Sequence, residues 1–139
     1  MLVLRNLSRS FREGERIHRV LDGVEARIDS GAFVAVIGRS GSGKSTLLNL
    51  VSGIDRAETG SVEIDGVETS AVREPQRNLF RRAHIGFIYQ FFNLVPTLDV
   101  EENVRLVLEL NGVAHGEARR RSEAMLAEVG LGDRLRSAV

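Results

Sequence analysis

Apolar and polar residues begin to alternate at the start of the chain. In "LVLRNLSRSF" (2–11) the apolar positions Leu2, Leu4 and Leu7 predict a strand. "RVLDGVEARI" (19–28) predicts a second, with Gly23 marking a bend or bulge. "FVAVIG" (33–38) is a continuous Val- and Ile-rich run, the pattern of a strand buried on both faces. "STLLNLVSGI" then turns helical and stops near Gly53. Asp65-Gly66 inside "SVEIDGVE" (61–68) is a two-residue hairpin signal. "REPQRNLFRRAH" (73–84) predicts a helix that tolerates Pro75 only in its first turn. "IGFIYQ" (85–90) predicts a further strand. "DVEENVRLVLELNG" (99–112) predicts a helix with Asp99 as N-cap, acids in the first turn and Gly112 as its stop. "GEARRRSEAMLAEVG" (116–130) predicts an amphipathic helix with Ala118, Met125, Leu126 and Val129 on its apolar face.

Composition narrows the class. The 139 residues suit one domain with a modest core, and 42% apolar and 27% charged residues are ordinary for a globular protein. Nineteen acids balance nineteen bases, so net charge gives no reason to expect a nucleic-acid partner. The chain has no cysteine, which excludes disulfides and thiolate metal sites. No apolar run reaches the ~18 residues of a membrane span, and the N-terminal residues lack the apolar block of a signal peptide. The expectation is a soluble cytoplasmic protein with no direct membrane insertion. His18, His84 and His115 are scattered and suggest no metal site, and Arg119–Arg121 read as a solvated helix face.

One position breaks the basic pattern. Eighteen of the nineteen bases are arginine, and the single lysine, Lys44, lies in "GRSGSGKST" (38–46). Gly38, Gly43, Lys44 and Ser45 satisfy G-x-x-x-x-G-K-[ST], between a buried-type strand and a helix start, which is the arrangement the motif requires. Gly38, Gly41 and Gly43 let the backbone approach a phosphate without Cβ clashes. Successive N–H groups then point at the anion, reinforced by the helix N-terminus. Ser45 can place its hydroxyl on Mg²⁺, and Thr46 offers a second hydroxyl for the α-phosphate. Lys44 threads a compact ammonium between β- and γ-phosphate oxygens, where a planar guanidinium would distort the loop.

"GRSGSGKSTLLNLVSGIDRAETGSVEIDG" together with "IGFIYQFFNLVPTLDVEENV" closely resembles the nucleotide-binding subunit of ABC transporters, in the branch that serves lipoprotein release, macrolide export and cell division. The resemblance spans about residues 2–136. It implies an α/β P-loop NTPase fold with an N-terminal antiparallel β subdomain: about 1–90 as β subdomain and P-loop core, and 91–139 as Q-loop and start of a helical subdomain. It makes Gly38, Arg39, Ser40, Gly41, Ser42, Gly43, Lys44, Ser45 and Thr46 the Walker A loop. Gln90 becomes the Q-loop glutamine, reaching Mg²⁺ and the attacking water. Phe11 falls where an aromatic ring stacks on adenine. On residues alone, Phe11 reads as a core aromatic and Gln90 as a solvated strand end. Of the aromatics clustered at 87–92, Phe87 and Tyr89 read as core, while Phe91 and Phe92 suit a partner groove. The implied cofactors are ATP and Mg²⁺. The implied partners are a transmembrane permease subunit, met by the segment Phe91 to Val100, and a second copy in a homodimer, placing the protein on the inner face of the cell membrane.

Other family motifs are missing from these residues: an LSGGQ-like signature, an apolar strand ending in Asp-Glu (Walker B), and the switch histidine. The expectation is a partial nucleotide-binding domain that is not a self-sufficient ATPase, with Phe33–Ile37 left with unpaired edges. A small P-loop nucleoside or nucleotide kinase is the alternative, as is a non-catalytic remnant. Two strand-like segments ahead of the loop favour the transporter reading.

Overall fold

The computed structural model describes residues 1–139, and the chain divides into two compact units, Met1–Gly86 and Phe87–Val139. The first carries an antiparallel sheet of strands β1 (Leu2–Glu13), β2 (Arg16–Ile28), β3 (Thr59–Ile64) and β4 (Val67–Glu68), in the order β2-β1-β3-β4. Its two helices are α1 (Lys44–Val51) and α2 (Gln76–His84).

Local chemistry explains most of this unit. β1 and β2 slip register between the Leu7–Val24 and Arg9–Leu21 pairs, so the sequence signal at Gly23 is a bulge. Gly23 has φ 60°, and its N–H donates to Ser8 Oγ at 2.9 Å. The β3–β4 turn uses Asp65 (φ 47°) and Gly66 (φ 82°), the double positive φ of a tight hairpin. Leu4, Leu7, Leu21, Leu50 and Val62 are buried as one core, so the side of α1 bearing Leu50 lies on the sheet. α1 ends at Ser52 and Gly53 (φ 71°), as the sequence predicts. α2 begins after Pro75, and Arg81 Nη1 donates to the Gly53 carbonyl at 2.6 Å, tying α2 to the end of α1.

The second unit pairs α3 (Val100–Leu110) with α4 (His115–Glu128), followed by a 3-10 turn at Gly132–Arg134. Asp99 caps α3 in a full capping box: Glu102 N–H donates to Asp99 Oδ1 at 2.8 Å, and Asp99 N–H donates to Glu102 Oε2 at 2.9 Å. Between the helices, Ser122 donates to Glu101 Oε1 at 2.6 Å, with both side chains fully buried. The Arg105 guanidinium lies 3.1 Å from the same oxygen and balances its charge.

The Asp99 carboxyl is held below its ordinary 3.8 chiefly by the Glu102 N–H, with the Arg136 guanidinium at 2.9 Å adding to that and partial desolvation opposing it. A depressed folded pKa contributes stability that is fully present above about pH 4 and lost as pH falls through the lowered value. Asp99→Ala should therefore lower the thermal midpoint at neutral pH, and its curve should converge on wild type as pH falls below about 4. Circular-dichroism melts across that range check this; parallel curves would count against it.

Three expectations need correction. Residues 33–38 and 85–90 belong to no strand, and Phe33, Ile37 and Ile88 are 98%, 90% and 103% exposed. β-type composition describes a surface that fits a ladder, and neither segment joins one. Phe87 and Tyr89 are not core: they stack on each other, centroids 5.6 Å apart, yet both stay exposed. On α4 the buried strip is Ala118, Ser122 and Leu126, spaced by four, while Met125 and Val129 are exposed. A helix packed on a single partner buries a narrow strip, and Ser122 holds its place there through Glu101.

Candidate functional site

The ends of β1 and β2, the loop 38–43 and the first turn of α1 together enclose a cavity of about 430 Å³. The loop owes its path to glycine at two positions. A Cβ at Gly38 would fall 2.7 Å from Ser42 Oγ. Gly43 has φ 88°, and a Cβ there would stand 2.9 Å from Val20 Cγ1 and 3.1 Å from the Val20 carbonyl. Gly43 thus seats the helix start directly against β2, where any side chain would push it away.

The first turn of α1 is prepared for an anion. No side chain caps it and no acid lies in it, so its N–H groups and the positive end of the helix dipole face outward. Lys44 Nζ donates to the carbonyls of Gly38 at 2.9 Å and Arg39 at 2.7 Å. Those bonds use two of the three ammonium donors, fix the side chain over the loop and leave the third for a ligand oxygen. Ser45 and Thr46, one and two residues on, also line the cavity. No cluster of three His, Cys, Asp or Glu side chains exists to hold a bare metal. A cation that keeps its waters and takes one hydroxyl plus phosphate oxygens fits the Ser45 position, which is the ordinary mode of Mg²⁺.

At the other end stands Phe11. The Arg9 guanidinium covers one face of its ring, 4.9 Å from the centroid, and is itself held by Asp55 at 3.0 Å. The ring is therefore a braced platform for a planar group.

The structure brings Phe11, Ser40, Gly41, Gly43, Lys44, Ser45 and Thr46 to one cavity. Gly38, Arg39 and Ser42 do not line it; the Gly38 and Arg39 carbonyls hold Lys44, and the Ser42 hydroxyl stands beside Gly38. Gln90 lies in the other compact unit, exposed, in a bend. Glu13, His18 and Val20 also line the cavity and were missed from sequence. The signal was available: Phe11 and Glu13 alternate along one strand, as do His18 and Val20 along the next. A larger cavity of about 530 Å³ lies in the second unit, but its walls are nearly all apolar and its only polar liner, Asn103, is already bonded to Val95, Leu98 and Asp99.

A family model described as "ABC transporter" matches residues 21–139. An uncharacterized ABC transporter ATP-binding protein of Mycobacterium tuberculosis is 50% identical over 134 residues, covering 96% of this chain and 54% of the relative. The lipoprotein-releasing system ATP-binding protein LolD of Pseudomonas syringae pv. tomato is 46% identical, covering 97% of this chain and 60% of the relative. Among solved structures, the dimeric ATP-binding cassette MJ0796 bound to ADP and Pi superimposes with a TM-score of 0.88 at 35% identity, over 99% of this chain and 61% of that one. The chain thus spans a little over half the length of the curated relatives it matches.

Proposed function

The chain belongs to the ABC transporter family, and from that premise we propose that it is the ATP-binding part of a transporter cassette. As part of a full cassette it couples ATP binding and hydrolysis to transport through a transmembrane permease. The observation that carries this reading is the single cavity that joins an uncapped helix start, Lys44 and the Phe11 platform. In it the triphosphate lies along the loop N–H groups and the adenine on the open face of Phe11. Lys44 gives its third donor to the β- and γ-phosphates, Ser45 takes Mg²⁺, and Thr46 meets the α-phosphate. Mg²⁺ supplies charge neutralisation at the phosphate oxygens. Gln90 is, on this reading, the family's Q-loop glutamine, and it leads into the segment Phe91 to Val100 that meets the permease. Phe91 and Phe92, 74% and 91% exposed, suit that contact. The partners of the unpaired segment 33–37 belong, on this reading, to the remainder of the cassette, which also supplies the groups that complete hydrolysis and the dimer. The protein works on the inner face of the membrane through its permease; no helix in the chain is long and apolar enough to cross one.

Calorimetric titration with ATP, with and without Mg²⁺, tests the reading. The expected result is one saturable site, tightened by Mg²⁺ and competed by ADP, without steady-state hydrolysis. Absence of saturable binding would sink it. Turnover that Lys44→Ala abolishes would show instead that these residues hydrolyse ATP unaided.

A further inference from the structure

His18 lines the phosphate-loop cavity and has no part in the site described so far. The other two histidines are engaged: His84 Nδ1 meets the Phe80 carbonyl at 3.1 Å, and His115 Nδ1 lies 2.7 Å from Glu109 Oε1. Both ring nitrogens of His18 are without partners in the chain. His18 on β2 stands directly across from Phe11 on β1, so their Cβ atoms are about 5 Å apart.

Distance along the strand assigns its ligand. Val20, which packs against Gly43, marks the phosphate end of the cavity. His18 lies two residues outward, about 6.5 Å along an extended strand and level with Phe11 across the strand pair, so whatever joins phosphates at α1 to a base on Phe11 passes beside it. Glu13 lies two residues beyond Phe11, farther from the loop. A nucleotide with phosphates at α1 and base on Phe11 brings its ribose past the His18 imidazole. A neutral imidazole has one donor and one acceptor, matching a hydroxyl that is also both; the Glu13 carboxylate only accepts. We propose that His18 is a specificity-determining residue that hydrogen-bonds the ribose hydroxyls of the bound nucleotide and makes the site prefer ribonucleotides to deoxyribonucleotides. The inference rests on the nucleotide reading above.

Calorimetry of the full chain with ATP, 2′-deoxy-ATP, 3′-deoxy-ATP and inorganic triphosphate separates the two. Wild type should bind ATP about 10-fold more tightly than at least one deoxy analogue, the worth of one hydrogen bond. His18→Ala should bring that ratio to about 1 while leaving triphosphate binding unchanged, and His18→Asn, which keeps a donor and an acceptor, should restore part of it. A wild type without preference, an unchanged ratio in His18→Ala, or equal weakening of all four ligands overturns the inference and leaves the phosphate loop standing. Failure of wild type to bind either ATP or triphosphate overturns both.

Discussion

Lys44→Ala is expected to weaken Mg-ATP binding by about 100-fold and to leave the thermal midpoint nearly unchanged. Each hydrogen bond from a charged donor to a phosphate contributes about 1.5–3 kcal/mol. Losing the ammonium removes both its charge and its reach, and about 2.7 kcal/mol corresponds to 100-fold in affinity. Folding is spared because the Gly38 and Arg39 carbonyls that hold the ammonium lie in an exposed loop and return to water. Alanine is also a good helix residue at the start of α1. Lys44→Arg should rescue little: a planar guanidinium is wider than the ammonium that donates to those two carbonyls and would have to displace the loop, so charge alone is insufficient. Titration calorimetry with a parallel thermal melt reads both quantities. Wild-type affinity in Lys44→Ala would remove the lysine from the site.

Gly60→Ala should have the largest effect on folding, a loss of about 3 kcal/mol or more. Gly60 lies in β3 with φ 85°, and an added Cβ would overlap the backbone carbonyl oxygens of Arg5 and Asn6 on β1. Backbone atoms cannot swing aside, so relief requires β1 and β3 to part where Leu4, Leu7 and Val62 make the core. Against a typical stability of about 5–15 kcal/mol, that removes a large share. Gly66→Ala is the control: φ is 82° but the space around it is open, so only the backbone penalty of about 1 kcal/mol remains. Urea denaturation of both variants gives the comparison, and equal midpoints would discount the clash.

Gly60 also shows how unevenly structure was legible in the sequence. "AETGSVEIDG" announces a hairpin at Asp65-Gly66 because turn chemistry is local. Nothing in it announces the close approach at Gly60, which depends on β1 bending at Asn6, φ 48°, more than fifty residues earlier. α3 was readable to its cap because Asp99 and Glu102 act within one turn. α4 was misread at Met125 and Val129 because helical period predicts a face but not how wide a strip its partner covers. The strands expected at 33–38 and 85–90 failed for the same reason: a strand is completed by a neighbour that its own residues do not specify.

By itself, the sequence determined the family, the phosphate-loop motif as a pattern, the existence of the four helices and the Asp65-Gly66 hairpin. Each is written in contiguous residues whose chemistry acts over a few ångströms, as with Gly38 to Thr46 and the lone Lys44. Tertiary structure alone decided that His18 joins Phe11 and that loop in lining one cavity, that Arg9 covers one face of the Phe11 ring, and that Phe33 and Ile37 lie exposed. Those outcomes depend on cross-strand register and on ladder partners, which join residues far apart in the chain and leave no local mark.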